Sequence, residues 1–113
     1  MQKINNGLID KTLQSKRKVS IKKLTLDEIN ELKDMTEIIF HPDGTNRVTN
    51  MAKTRTAWIR RGLGGGDFVN EDGSQMVING VVPDEAILQM TDVEQDELAG
   101  LIQKAQILSF KKK

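Results

Sequence analysis

Two four-residue motifs fix where helices begin, and they constrain the fold of this chain more than any other feature. Thr25-Leu26-Asp27-Glu28 and Thr91-Asp92-Val93-Glu94 are both capping boxes. In such a box the threonine hydroxyl accepts from the amide three residues on, and the glutamate carboxylate accepts from the threonine amide. Leu24 and Ile29 add the two positions of a hydrophobic staple to the first box. Asp27 and Glu28 also sit at the positive end of the helix dipole. Ile29, Leu32, Met35 or Thr36, and Ile39 then recur at helical spacing, which predicts a helix from about Leu26 to Phe40. His41-Pro42-Asp43-Gly44 ends it, because the residue before proline avoids the α region. Beyond the second box, Leu98, Leu101, Ile102, Ala105 and Leu108 form one apolar stripe. They predict a helix from about Asp92 to Leu108 that tolerates Gly100, with Lys104 and the terminal lysines toward its negative end.

The segments between are shorter. Thr49 or Asn50 caps a helix that runs from Met51 to Arg61, with Met51, Ala52, Trp58, Ile59 and Leu63 as its apolar residues. Lys53, Arg60 and Arg61 give it a basic face. Gly62 and then Gly64-Gly65-Gly66 read as a helix stop and flexible link. They lack the Gly-Lys-Ser or Gly-Lys-Thr ending of a phosphate-binding loop. Val19 and Ile21 alternate with Lys18, Ser20 and Lys22, which predicts one short strand. Residues 67–70 and 75–78 flank Asp72-Gly73 and read as a hairpin. Pro83 opens a short helix to Gln89. Ile4, Leu8, Ile9 and Leu13 are loosely helical in spacing, but Asn5-Asn6-Gly7 weakens them. The first 17 residues therefore read as a mobile arm that becomes helical on a partner.

At 113 residues the chain is one domain's worth. The Leu, Ile, Val and Phe residues number 31, enough for a core. No cysteine is present, so disulfides, thiolate zinc sites and a cysteine nucleophile are excluded, and one histidine excludes a His-rich metal site. No apolar run has the length of a membrane span or the core of a signal peptide. The charge of +1 conceals an asymmetry. Residues 1–23 hold seven basic residues and one acid, residues 24–110 hold seven basic and fifteen acidic, and residues 111–113 are all lysine. The expected organisation is a flexible basic arm over 1–17, a globular domain over 18–110 and a basic tail over 111–113. Its expected class is mainly α with a small β-hairpin (α+β), helical-bundle-like.

Catalysis has no recognisable residue set, and neither a metal nor a cofactor is expected. His41 stands in a turn with no serine partner, and Asp67, Glu71 and Asp72 do not match a calcium loop. Trp58-Ile59-Arg60-Arg61 is the most suggestive cluster. Trp58 can stack a base while Arg60 and Arg61 hold phosphates, or all three can anchor a protein interface. The plainer alternative makes Trp58 a core residue with solvated arginines beside it. Lys16, Arg17 and Lys18 are the corresponding candidates in the arm, for nucleic acid or an acidic protein surface.

From Lys18 onward the order of elements is distinctive. A basic strand leads into the capped acidic helix at Thr25. A central helix carries Arg55-Thr56-Ala57-Trp58-Ile59, a turn follows at Asp72-Gly73, and two acidic helices close the chain at Asp84-Glu85-Ala86-Ile87-Leu88 and Asp96-Glu97-Leu98-Ala99-Gly100-Leu101-Ile102. This order resembles the small tail assembly chaperones of long-tailed bacteriophages over residues 18–108. The N-terminal arm and the Gly64-Gly65-Gly66 stretch depart from it. The resemblance implies a mostly helical, non-catalytic protein of the host cytoplasm. It would bind the long helical tape-measure protein and keep it soluble until the tail tube polymerises. A small nucleic-acid-binding protein and a virion component such as a head–tail joining protein are the alternatives. The sequence sets no oligomeric state.

Overall fold

The computed structural model describes residues 4–5, 8–35, 37–78 and 80–108. Its elements are β1 (Ile4–Asn5), β2 (Leu8–Thr12), β3 (Lys18–Lys22), α1 (Leu26–Lys33), β4 (Glu37–Phe40), β5 (Asn46–Thr49), α2 (Met51–Gly62), β6 (Leu63–Gly66), α3 (Asp84–Leu88) and α4 (Asp92–Leu108). Four strands form one antiparallel sheet in the order β1-β2-β3-β6, and β4 pairs with β5 in a second sheet. The architecture is α+β, with helices packed on a sheet, and the bundle-like arrangement expected from the sequence is not what forms.

Over its described part, the arm expected at 1–17 is two paired strands, β1 and β2, and a tight turn. Ile9 and Leu13 are buried and lie an even number of residues apart, with Asp10 and Thr12 exposed between them. A period of two puts them on the core side of a sheet. Ile9 stands opposite Ile21 and Lys11 opposite Val19, so the inner face of β2 meets the buried pair of β3. On the other face the Ser20 hydroxyl donates to Asp10 at 2.8 Å. The domain therefore begins before residue 18. Residues 1–3 and the basic tail at 111–113 lie outside the described residues.

The glycine stretch is also a strand, not a link. β6 pairs with β3 around an irregularity between Ser20 and Ile21. At Gly66 φ is +135°, and an added Cβ would overlap the Lys18 carbonyl oxygen and lie 2.8 Å from the Val19 Cα. Only glycine permits that backbone and that approach. It lets the Asp67 amide reach the Lys18 carbonyl at 2.8 Å, while the Asp67 carboxylate accepts from the Lys18 amide at 2.9 Å.

The first helix is shorter than its spacing predicts. Its capping box forms as expected, with the Thr25 amide donating to Glu28 at 2.9 Å and the Glu28 amide donating to Thr25 Oγ1 at 3.2 Å. α1 nevertheless ends at Lys33, and Glu37–Phe40 is β4, paired with β5 so that Ile38 faces Val48 across the ladder. Ile38 and Ile39 are β-branched and favour strand. His41-Pro42-Asp43-Gly44 is the turn of that hairpin, closed by the His41 amide donating to the Thr45 carbonyl at 2.9 Å. Asp43 accepts from the Thr45 hydroxyl and amide, which holds its carboxyl below its usual range. Asp72 makes the same bonds with Ser74, to the same effect. The hairpin expected around Asp72 reduces to a tight turn with one bridge, Val69 to Gln75.

The core lies between the inner sheet face and the helices, with Ile9, Val19 and Ile21 meeting Ile59, Leu98 and Ile102 in one buried cluster. α2 and α4 pack closely, because Gly62 leaves no side chain where Ile102 sits. Two buried glutamines satisfy loop backbone. Gln106 accepts from the Leu24 amide at 2.9 Å and donates to the Lys22 carbonyl at 3.0 Å. Gln95 donates to the carbonyls of Ile87 and Met90 and so joins α3 to α4. Buried carbonyls without such donors would cost about 1–3 kcal/mol each. No helix among the described residues is long and apolar enough to cross a membrane.

Candidate functional site

α2 and α4 lie side by side with the same polarity, since Arg55 meets Asp92 and Asp96 while Gly62 meets Ile102. An open groove of about 510 Å³ lies along the two helices. Met51, Ala52, Thr54, Arg55 and Trp58 line it from α2, and Asp96, Ala99, Gly100 and Gln103 from α4. Spacings of three and four on both helices make each lining a continuous stripe. The apolar part is Met51, Ala52, Trp58, Ala99 and Gly100. Met51 is 66% exposed, and its unbranched side chain adapts to whatever it touches. Gly100 is exposed, with no atom within 4 Å of an added Cβ, so the groove is open above it.

Two charged groups line the groove, Arg55 and Asp96, and Asp92 pairs with Arg55 one turn before Asp96. Arg55 donates to Asp96 at 3.0 Å and to Asp92 at 3.4 Å. Its Nε–H is a buried donor with no hydrogen-bond partner among the described residues. The two aspartates are 88% and 71% exposed, so these pairs are worth no more than about 1 kcal/mol each.

The residues singled out in the sequence do not come together. Trp58 is 4% exposed, a core residue whose edge reaches the groove. Arg60 donates to the Val82 carbonyl at 2.8 Å and pairs with Asp84. Arg61 pairs with Glu31 at 2.7 Å and Glu28 at 3.6 Å, on the side of α1. Lys16 occupies the β2–β3 turn with φ of +79°, and Lys18 begins β3. Arg17 is the most engaged of the set. It donates to Glu94 at 3.1 Å and to the carbonyls of Asp67 and Gln89, and its guanidinium carbon lies 5.2 Å from the centre of the Phe68 ring.

Glu94 gathers the most bonds of any carboxylate described. Its Oε1 accepts from the Thr91 amide, completing the second capping box, and its Oε2 accepts from the Ser15 hydroxyl at 2.5 Å and from Arg17. The Ser15 bond, the Thr91 amide and Arg17 together pull its pKa down from 4.5 to about 2. Beside it Glu97 accepts from the Gln14 amide at 3.1 Å. These bonds latch the β2–β3 turn onto the start of α4.

Sequence reasoning missed the groove. The available signal was a second α4 stripe, Asp96, Ala99, Gly100 and Gln103, beside the core stripe. Among the described residues no group of three or more histidine or acidic side chains is placed to hold a metal. No protein-family model, curated protein or solved structure matches the chain.

Proposed function

We propose that the chain is a non-enzymatic binding protein that holds an amphipathic helix in the α2–α4 groove, in the manner of a phage tail assembly chaperone holding its tape-measure protein. The groove carries this reading. It offers two helical stripes at matching spacing, an apolar floor of small and adaptable side chains, and a polar rim. A free amphipathic helix exposes an apolar stripe that promotes aggregation. Laying that stripe between two helices removes it from water and leaves its polar face outside. The nucleic-acid alternative is less well supported, because Arg17, Arg60 and Arg61 already bond to carboxylates and carbonyls of the chain itself.

Titration calorimetry with a helical tape-measure fragment tests the proposal, using the Gly100→Leu variant as control. An added Cβ at that position meets nothing, so a leucine side chain starts in open space over the groove and occupies it, and leucine is the better helix former by roughly 0.5–1 kcal/mol. The variant is expected to fold at least as stably as the parent and to lose the fragment. No affinity of the parent for the fragment, together with a steeply salt-dependent affinity for DNA or RNA, would replace this reading with the nucleic-acid one. Mass spectrometry of finished particles separates an assembly factor, which is absent from them, from a joining protein, which stays.

A further inference from the structure

Resting on the groove reading above, we infer that the helix taken there is cationic, with Lys or Arg beside its apolar stripe, and that Asp92 and Asp96 receive those cations. The two aspartates are one turn apart on α4 and exposed; Asp96 lines the groove, and Asp92 stands one turn before it on the same Arg55. Arg55 is the cation they share, so this rim keeps one uncompensated negative charge. Other charges nearby do not cancel it. Lys53 lies roughly 160° round α2 from Arg55, and Lys104, one turn beyond Gly100, is about 12 Å along α4 from Asp96, beyond the screening length at physiological salt. Glu97 faces the β2–β3 turn, where it accepts from the Gln14 amide.

An acidic helix would set its carboxylates against this rim and find Arg55 already engaged. A helix with basic residues four apart would match the spacing of Asp92 and Asp96 while its apolar stripe covered Met51, Ala52 and Ala99. The aspartates' bonds to Arg55 are exposed and cheap to rearrange. Their partial release would also free Arg55 to turn its buried Nε–H toward an acceptor on the incoming helix.

Two synthetic helices with one shared apolar stripe, flanked by Lys and Arg in one and by Glu in the other, test this by calorimetry. Trp58 fluorescence gives a second readout, since it is the chain's one tryptophan and lines the groove. The cationic helix is expected to bind roughly tenfold more tightly at low salt, since two rim pairs of about 0.7 kcal/mol each make one factor of ten. That preference should shrink as salt rises. It should vanish in the D92N/D96N double variant, whose helicity is checked by circular dichroism. Equal binding of both helices to the parent chain would overturn the charge assignment and leave the groove reading standing. So would a preference that survives in D92N/D96N. Binding of neither helix would overturn both.

Discussion

Replacing Gly66 with alanine will destabilise the chain by roughly 3–5 kcal/mol, while the same change at Gly65 will be close to neutral. Gly66 carries φ of +135°, a backbone region that costs a side chain about 1–3 kcal/mol on its own. The added methyl would also press on the Lys18 carbonyl and the Val19 Cα, backbone atoms of the adjacent strand that cannot move without breaking the β3–β6 pairing. Gly65 has ordinary φ and open space around an added Cβ. Urea denaturation of both variants checks this. Because a domain of this size has only about 5–15 kcal/mol in hand, the Gly66 variant should unfold at far lower urea. Equal effects at the two positions would show that the close approach at Gly66 is not what holds β6 in place.

The second large effect is expected at Glu94, and it depends on pH. Its pKa is lowered from 4.5 to about 2 in the folded chain, first by the Ser15 hydroxyl, then by the Thr91 amide and Arg17. A carboxyl whose folded pKa is depressed stabilises the fold fully above its unfolded pKa. That contribution is lost as pH falls through the folded one. The window is therefore from about 4.5 down to about 2, and the linked free energy is roughly 3 kcal/mol. Glu94→Gln removes the charge that Arg17 and Ser15 bond to, so it should cost about 2–3 kcal/mol at pH 7. The gap between parent and variant should close as pH drops toward 2, where the parent protonates as well. Urea denaturation across that range reads the difference directly, and other titrating groups cancel between the two chains. A gap that stays constant with pH would mean that the Ser15–Glu94–Arg17 latch adds nothing through its charge.

Local signals in the sequence located the helices, and non-local ones were invisible in it. Both capping boxes form, and α4 spans the expected Asp92–Leu108. Each of these depends on residues within a few positions of one another. The strands depend on partners elsewhere. Ile9 and Leu13 fit a helical spacing as readily as alternation, so β2 alone reads as an arm, and β3 across the turn decides between the two. A glycine run signals flexibility, so β6 alone reads as a link, whereas Gly66 is required by how close Lys18 comes. Glu94 was legible as a cap. Its second oxygen, bonded to residues 79 and 77 positions away, was not. The groove was half legible. The stripes on α2 and α4 can be counted off the sequence, but only the packing of Gly62 on Ile102 brings them side by side.

That the α2–α4 groove is the binding surface is tested most directly by titrating the isotopically labelled chain with a cationic amphipathic helix and following its amide resonances. Shifts centred on Met51–Trp58 and Asp96–Gln103, with the Trp58 indole among them, are predicted. Shifts centred instead on Lys16–Lys18 and Arg60–Arg61, or none at saturating peptide, would contradict it.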